Sequence, residues 1–97
     1  MTKTYFVYII ANEYWTLYIW MTNNLERRMY EHRENRNNRQ NFTGRYNCYN
    51  LIYYEEFECI VSAIHREKQI KGLRREKKER LINIVNPKWD TIQLPYY

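Results

Sequence analysis

Across 97 residues the chain has two glycines, two prolines, two cysteines and no long apolar run. The missing run excludes a membrane-spanning helix, which needs about 20 consecutive apolar residues. Cys48 and Cys59 match no disulfide framework and no common zinc spacing, and His32 and His65 add no closely spaced histidine pair. Both cysteines are expected as free, buried or half-buried thiols in a reducing compartment. Of the glycines, Gly44 stands alone in a polar stretch, and Gly72 is left as a helix stop. Pro87 marks a second stop, because the residue before proline disfavours helix. No repeat, linker or low-complexity segment divides the chain, so one domain over residues 1–97 is predicted. The N-terminus has one lysine and seven apolar residues at positions 5 to 11. That is weak signal-peptide character, but cleavage there would remove a core strand, so a cytoplasmic protein is expected.

What the chain has in plenty is tyrosine and positive charge. Its eleven tyrosines favour strands and bring a polar tip to an apolar body. The net charge of +5 is concentrated in two blocks. Leu25 to Asn47 holds six basic and three acidic residues, and Val61 to Lys88 holds nine and three. Patches of this kind fit a polyanion such as nucleic acid. The candidates for phosphate contact are Arg27, Arg36, Arg39, Arg45, Lys68, Lys71, Arg74 and Arg75.

Thr4 to Ile10 is a β-branched and aromatic run without polar alternation, which predicts a strand covered on both faces. A five-residue connection leads to a second strand, Thr16 to Met21, and implies an antiparallel hairpin. Thr22, Asn23 and Asn24 supply oxygens for the free N–H groups of a helix over Leu25 to Glu34. Asn35 to Asn50 is polar and basic, too poor in apolar residues to bury a face, and is expected as a solvent-facing loop. Its arginines, with Phe42, Tyr46 and Tyr49, suit phosphates and bases. A third strand is predicted over Leu51 to Phe57, with its Glu55-Glu56 end exposed. Helices follow over Ile60 to Lys71 and Arg74 to Val85, and the tail from Lys88 packs back as an irregular cover.

Several polar groups fall where chemistry is possible. Tyr8 and Tyr18 lie on adjacent strands at positions that share a face, opposite Val7/Ile9 and Leu17/Ile19. Arg28 borders the inner stripe of the first helix formed by Leu25, Met29 and His32. In the second helix Ile60, Ala63, Ile64 and Ile70 mark a buried face, and Glu67 falls in the middle of it. A carboxylate there needs a cation or a donor. Two alternatives stand: an internal ion pair with Arg28, or a carboxylate that holds a divalent metal, since Mg²⁺ often takes only one or two. Two phenols, a guanidinium, an imidazole and a carboxylate form a set suited to phosphodiester cleavage.

The segments V-Y-I (Val7 to Ile9), L-Y-I-W (Leu17 to Trp20), N-L-E-R-R (Asn24 to Arg28), Y-Y-E-E-F (Tyr53 to Phe57), A-I-H-R-E-K-Q-I-K (Ala63 to Lys71) and V-N-P-K-W (Val85 to Trp89) occur in that order. Together they resemble the GIY-YIG nuclease superfamily, in its small single-domain bacterial branch related to the N-terminal nuclease domain of an excinuclease. The resemblance runs from about Thr4 to Trp89. It implies an α/β (α+β) fold with a small three-stranded antiparallel sheet flanked by helices. It further implies DNA hydrolysis, in repair or on branched or damaged DNA, with one Mg²⁺ or Mn²⁺ ion held by Glu67. Tyr8, Tyr18, Arg28, His32 and Glu67 match its catalytic positions. No separate reader of DNA sequence is evident, so specificity would need a partner or a homodimer. Two motif glycines are replaced, by Val7 and by Trp20. Glycine beside a catalytic phenol lets a phosphate come close, so Trp20 is expected to lower or reshape activity. The alternative reading is a nucleic-acid-binding module that has lost cleavage; a protein-interaction domain is the third.

Overall fold

The computed structural model describes residues 3–35 and 50–94. Three strands, β1 (Tyr5–Ala11), β2 (Leu17–Thr22) and β3 (Asn50–Phe57), form one antiparallel sheet in the order β2-β1-β3. Helix α1 (Leu25–Asn35) follows β2, and α2 (Ile60–Lys71) and α3 (Arg75–Val85) follow β3. The α+β architecture is the expected one, and each predicted strand is shifted or extended by one residue. Arg36, Arg39, Arg45, Phe42, Tyr46, Cys48 and Tyr49 lie outside the described residues.

Why β1 lacks polar alternation is plain from its place. It is the central strand, and Val7 to Ala11 are all shut off from solvent. On one face Val7, Ile9 and Ile19 pack with Ala63 and Ile70 of α2 and Ile82 of α3. On the other, Tyr8, Ile10 and Leu51 pack with Leu25 and Met29 of α1 and with Leu94 of the tail. A β-bulge adjusts β3 to both layers. Ile9 pairs with Tyr53 and Ile10 with Leu51, so Ile52 is the extra residue and joins Tyr53 on the α2 face.

Side-chain oxygens shape the two turns that carry β2. Asn12, buried, accepts from the N–H groups of Tyr14 and Thr16, both at 2.9 Å, and so closes the hairpin. Asn24 Oδ1 accepts from Arg27 N–H at 3.1 Å, and Thr22 Oγ1 from Asn24 N–H at 3.1 Å, which starts α1 as the sequence predicts. The tail also behaves as expected: Ile92 N–H donates to the Leu51 carbonyl at 2.8 Å and covers part of the outer edge of β3.

Three expectations fail. Ile60 is 44% exposed, because it opens α2 before the helix reaches the sheet. Cys59, the residue preceding α2, is exposed for the same reason. Glu55 is half-buried, drawn inward by an ion pair with Arg66 of α2. No helix among the described residues is long and apolar enough to cross a membrane.

Candidate active site

The period of each element decides which side chains meet. Alternation along β1 and β2 puts Tyr8, Tyr18 and Trp20 on the α1 face, with Tyr8 paired to Trp20 and Ile10 to Tyr18. Helical spacing brings His32 onto the same stripe as Leu25 and Met29. The result is a buried contact in which Tyr8 Oη and His32 Nε2 lie 2.8 Å apart, with the rings edge to face at 5.9 Å.

Burial governs the electrostatics here. It pushes the Tyr8 phenol above its ordinary value, and the neighbouring Arg28 guanidinium pulls it down without cancelling the rise. Burial lowers His32 to about 4, and Arg28 adds to that lowering. The imidazole is therefore neutral near pH 7, able to accept the Tyr8 proton on Nε2 when Nδ1 carries its own. Arg28 itself spans Tyr8 and Glu31, with Nη1 at 3.3 Å from the Glu31 carboxylate.

Glu67 comes from the helix on the opposite face, and it does not form the internal pair with Arg28. It is paired with Lys71 one turn on, at 3.4 Å, and its side chain keeps about a fifth of its surface open. The stripe expectation placed it too deep: Ala63 and Ile70 are buried, whereas Glu67 sits at the helix margin. It still belongs to the same neighbourhood, because its charge acts on Tyr8 and raises that phenol further. Trp20 bridges the halves. Its ring packs in the Tyr8 cluster, while Lys71 Nζ lies 5.5 Å from its centroid. The indole Nε1 is buried and has no hydrogen-bond partner among the described residues. Lys71 of α2 thus reaches past the outer edge of β2 to a ring on the α1 face, while direct contacts join only Tyr8, His32 and Arg28 of the five candidates.

Two features escape a reading of the sequence. Tyr53 donates to Glu55, and Arg66 Nε and Nη2 donate to the same carboxylate at 2.9 Å. Burial lifts Tyr53 to about 12. Burial also pushes Glu55 up, but the Arg66 and Tyr53 hydrogen bonds outweigh it and hold the carboxyl low. This network fixes α2 at the residue next to Glu67. The only signal is a lone arginine eleven residues after a glutamate, which no periodicity connects. The second is Arg75, expected on a phosphate. It donates to Glu79 at 2.7 Å and to the Trp15 carbonyl at 2.6 Å. Arg27, Lys68, Lys71 and Arg74 are exposed, as phosphate contacts require. A cavity of about 480 Å³ against β3 and α3 contains none of the five candidates. An open sheet edge suits a polymeric phosphodiester better than an enclosed pocket does.

The GIY-YIG catalytic domain matches residues 4–80, which include all five positions. The chain belongs to this family of the nuclease superfamily. It is 35% identical over 82 residues to a UPF0213 protein of Natronomonas pharaonis, covering 84% of this chain and 94% of the relative. A UPF0213 protein of Haloquadratum walsbyi is 33% identical over 81 residues, covering 84% and 89%. The solution NMR structure of a UPF0213 protein from Bacillus halodurans superposes with a TM-score of 0.59 at 23% identity, covering 91% of this chain and 92% of that one. That likeness establishes the GIY-YIG fold.

Proposed function

We propose that the protein is a metal-dependent DNA endonuclease of the cytoplasm, acting in repair or on branched or damaged DNA. The observation that carries this reading is the Tyr8–His32 contact beside Arg28, with the Glu67 charge felt at the same phenol. Tyr8 and Tyr18 act as a pair. Tyr18 is half-buried against the same cluster, and Tyr8 is the buried one, its hydroxyl hydrogen-bonded to His32. Arg28 opposes negative charge that builds on the phosphate.

Among the described residues no three His, Cys, Asp or Glu side chains gather as a metal cluster. Glu67 is thus a single carboxylate, which fits Mg²⁺ or Mn²⁺ completed by water and substrate phosphate. When bound, the ion would supply charge stabilisation and a more acidic water. Cleavage of single-stranded, duplex and branched DNA by wild type and Glu67→Ala, with either metal, tests the reading. Cutting lost only in the variant supports it.

One observation favours the second reading, a binding module without cleavage. Trp20 stands where the motif glycine would leave room, packed against Tyr8's cluster and capped by Lys71. Equal binding by both proteins without cutting by either would establish that reading.

A further inference from the structure

A cleft of about 400 Å³ lies between the β1–β2 hairpin and α3, lined by Trp15, Trp89, Arg75, Lys88 and Glu79. Trp15 and Trp89 meet edge to face at 5.3 Å, and Trp15 keeps 47% of its surface exposed. They are also the non-glycine residues with positive φ among those described, at 62° and 56°. Bulky side chains enter that region only where the surroundings hold them there. Here the holding contacts are visible. The Arg75 guanidinium grips the Trp15 carbonyl and lies 5.8 Å from the Trp89 ring, and Trp89 Nε1 donates to Asn83 Oδ1 at 2.6 Å. Lys88, exposed, pairs with nothing among the described residues.

None of the five candidates lines the cleft, and Trp89 packs on the α2–α3 face of the sheet; the link to the candidate active site is the α2–α3 junction. Lys71 sits on Trp20 and Arg75 on Trp15, so the α2–α3 junction runs beside β2 with Tyr18 between the two tryptophans. Three residues of chain separate Trp15 from Tyr18, a span of at most about 10 Å. We propose that this cleft takes an unpaired nucleobase of the DNA strand being cut, stacked on Trp15, with Lys88 on an adjoining phosphate. A rigid, open indole face beside cations is the equipment of a single-strand site. Bases inside a duplex are stacked on each other and cannot reach it. Resting on the nuclease reading, this narrows the substrate to DNA with a single-stranded arm, flap or gap next to the cleaved bond.

The test is binding of a labelled ten-nucleotide oligo-dT and of its abasic counterpart, in EDTA and at low salt, to wild type, Trp15→Gly and Trp15→Asn. Both replacements tolerate positive φ, so the hairpin is kept. Wild type is expected to prefer the base-bearing strand by about tenfold, as for one stacked base, and both variants to lose that preference. No preference in wild type, or a preference kept by the variants, overturns the cleft. Binding of neither oligonucleotide overturns the cleft and the nucleic-acid reading together. A base preference without cutting of any flapped substrate in Mg²⁺ or Mn²⁺ keeps the cleft and removes the nuclease.

Discussion

The two halves of the site differ in kind. The α1 half is anchored in the core: Tyr8 and His32 are shut off from solvent and their contact is fixed by packing on either side, with Arg28 half-buried beside them. The α2 half, Glu67 with Lys71 against Trp20, is an open ion pair at the sheet edge. The α1 half is organised before any ligand arrives, at the expense of an imidazole that cannot easily charge. The α2 half is adjustable, and its ammonium must make way before the carboxylate can take another cation. Chemistry and stability are therefore coupled on one side of β2 and separable on the other.

The largest effect should show that separation. On the proposed reading Glu67→Gln removes the carboxylate that would hold the metal, and the loss of several kcal/mol of charge stabilisation corresponds to a fall in cleavage on the order of a thousandfold. Its stability to urea should change by no more than about 0.5 kcal/mol, because the side chain is partly open and its ion pair is a surface one. A large loss of stability in this variant would mean that Glu67 is a core group after all, and the contrast between the halves would fall.

His32 should show the coupling on the other side. Its folded pKa of about 4 lies below the ordinary 6.5. Between those values the unfolded chain binds a proton that the folded one refuses, so stability is full above pH 6.5 and falls as pH drops toward 4. The depression corresponds to at most about 3 kcal/mol. Urea unfolding from pH 7.5 to 4 should record the fall, and His32→Gln should flatten that part of the profile. An unchanged slope in the variant would assign the acid sensitivity elsewhere.

Trp20, which spans both halves, should respond in both readouts. Trp20→Gly restores the motif residue, opens the edge beside Tyr8 and removes the seat of Lys71. Metal-dependent nicking should rise, by about tenfold or 1.4 kcal/mol of barrier. Stability should fall by about 1–3 kcal/mol through lost packing. A rate equal to wild type would show that the indole does not obstruct the site.

How much of this is legible in the sequence depends on whether the signal is local. The strand β1 announces its burial through unbroken apolar composition, and Asn24 announces the start of α1 by its chemistry. The face shared by Tyr8 and Tyr18 follows from alternation alone. Glu67 is located correctly along the chain and misjudged in depth, because helical period gives direction but not how far a helix overhangs a sheet edge. The partners of Arg75 and Arg66 are out of reach, since both depend on how α2 and α3 cross the sheet. The tryptophans at positive φ break the local rule outright. Nothing in Trp15 or Trp89 signals a left-handed backbone, and only tertiary contacts impose it.

Gly72 is the counterpart of those tryptophans and gives the smallest effect. It ends α2 one residue after Lys71, where a left-handed glycine is the usual stop, yet its φ is −80° and ψ −8°. A β-carbon there would meet the Lys68 and Gln69 carbonyls at 3.5 and 3.6 Å, which is ordinary contact. Glycine's freedom is thus spent only in the unfolded chain, and Gly72→Ala should stabilise the fold by about 0.4–1 kcal/mol. The same substitution probes the open half, because the turn carrying Lys71 into α3 is where any release of Glu67 would originate. If Lys71 moves aside by side-chain rotation, Gly72→Ala raises stability and leaves cleavage unchanged. If the α2–α3 turn itself must unwind through conformations open to glycine alone, the variant is more stable and slower. Urea unfolding and a nicking time course on the one protein separate these outcomes. The second outcome would place adjustability in the backbone of the open half rather than in its ion pair.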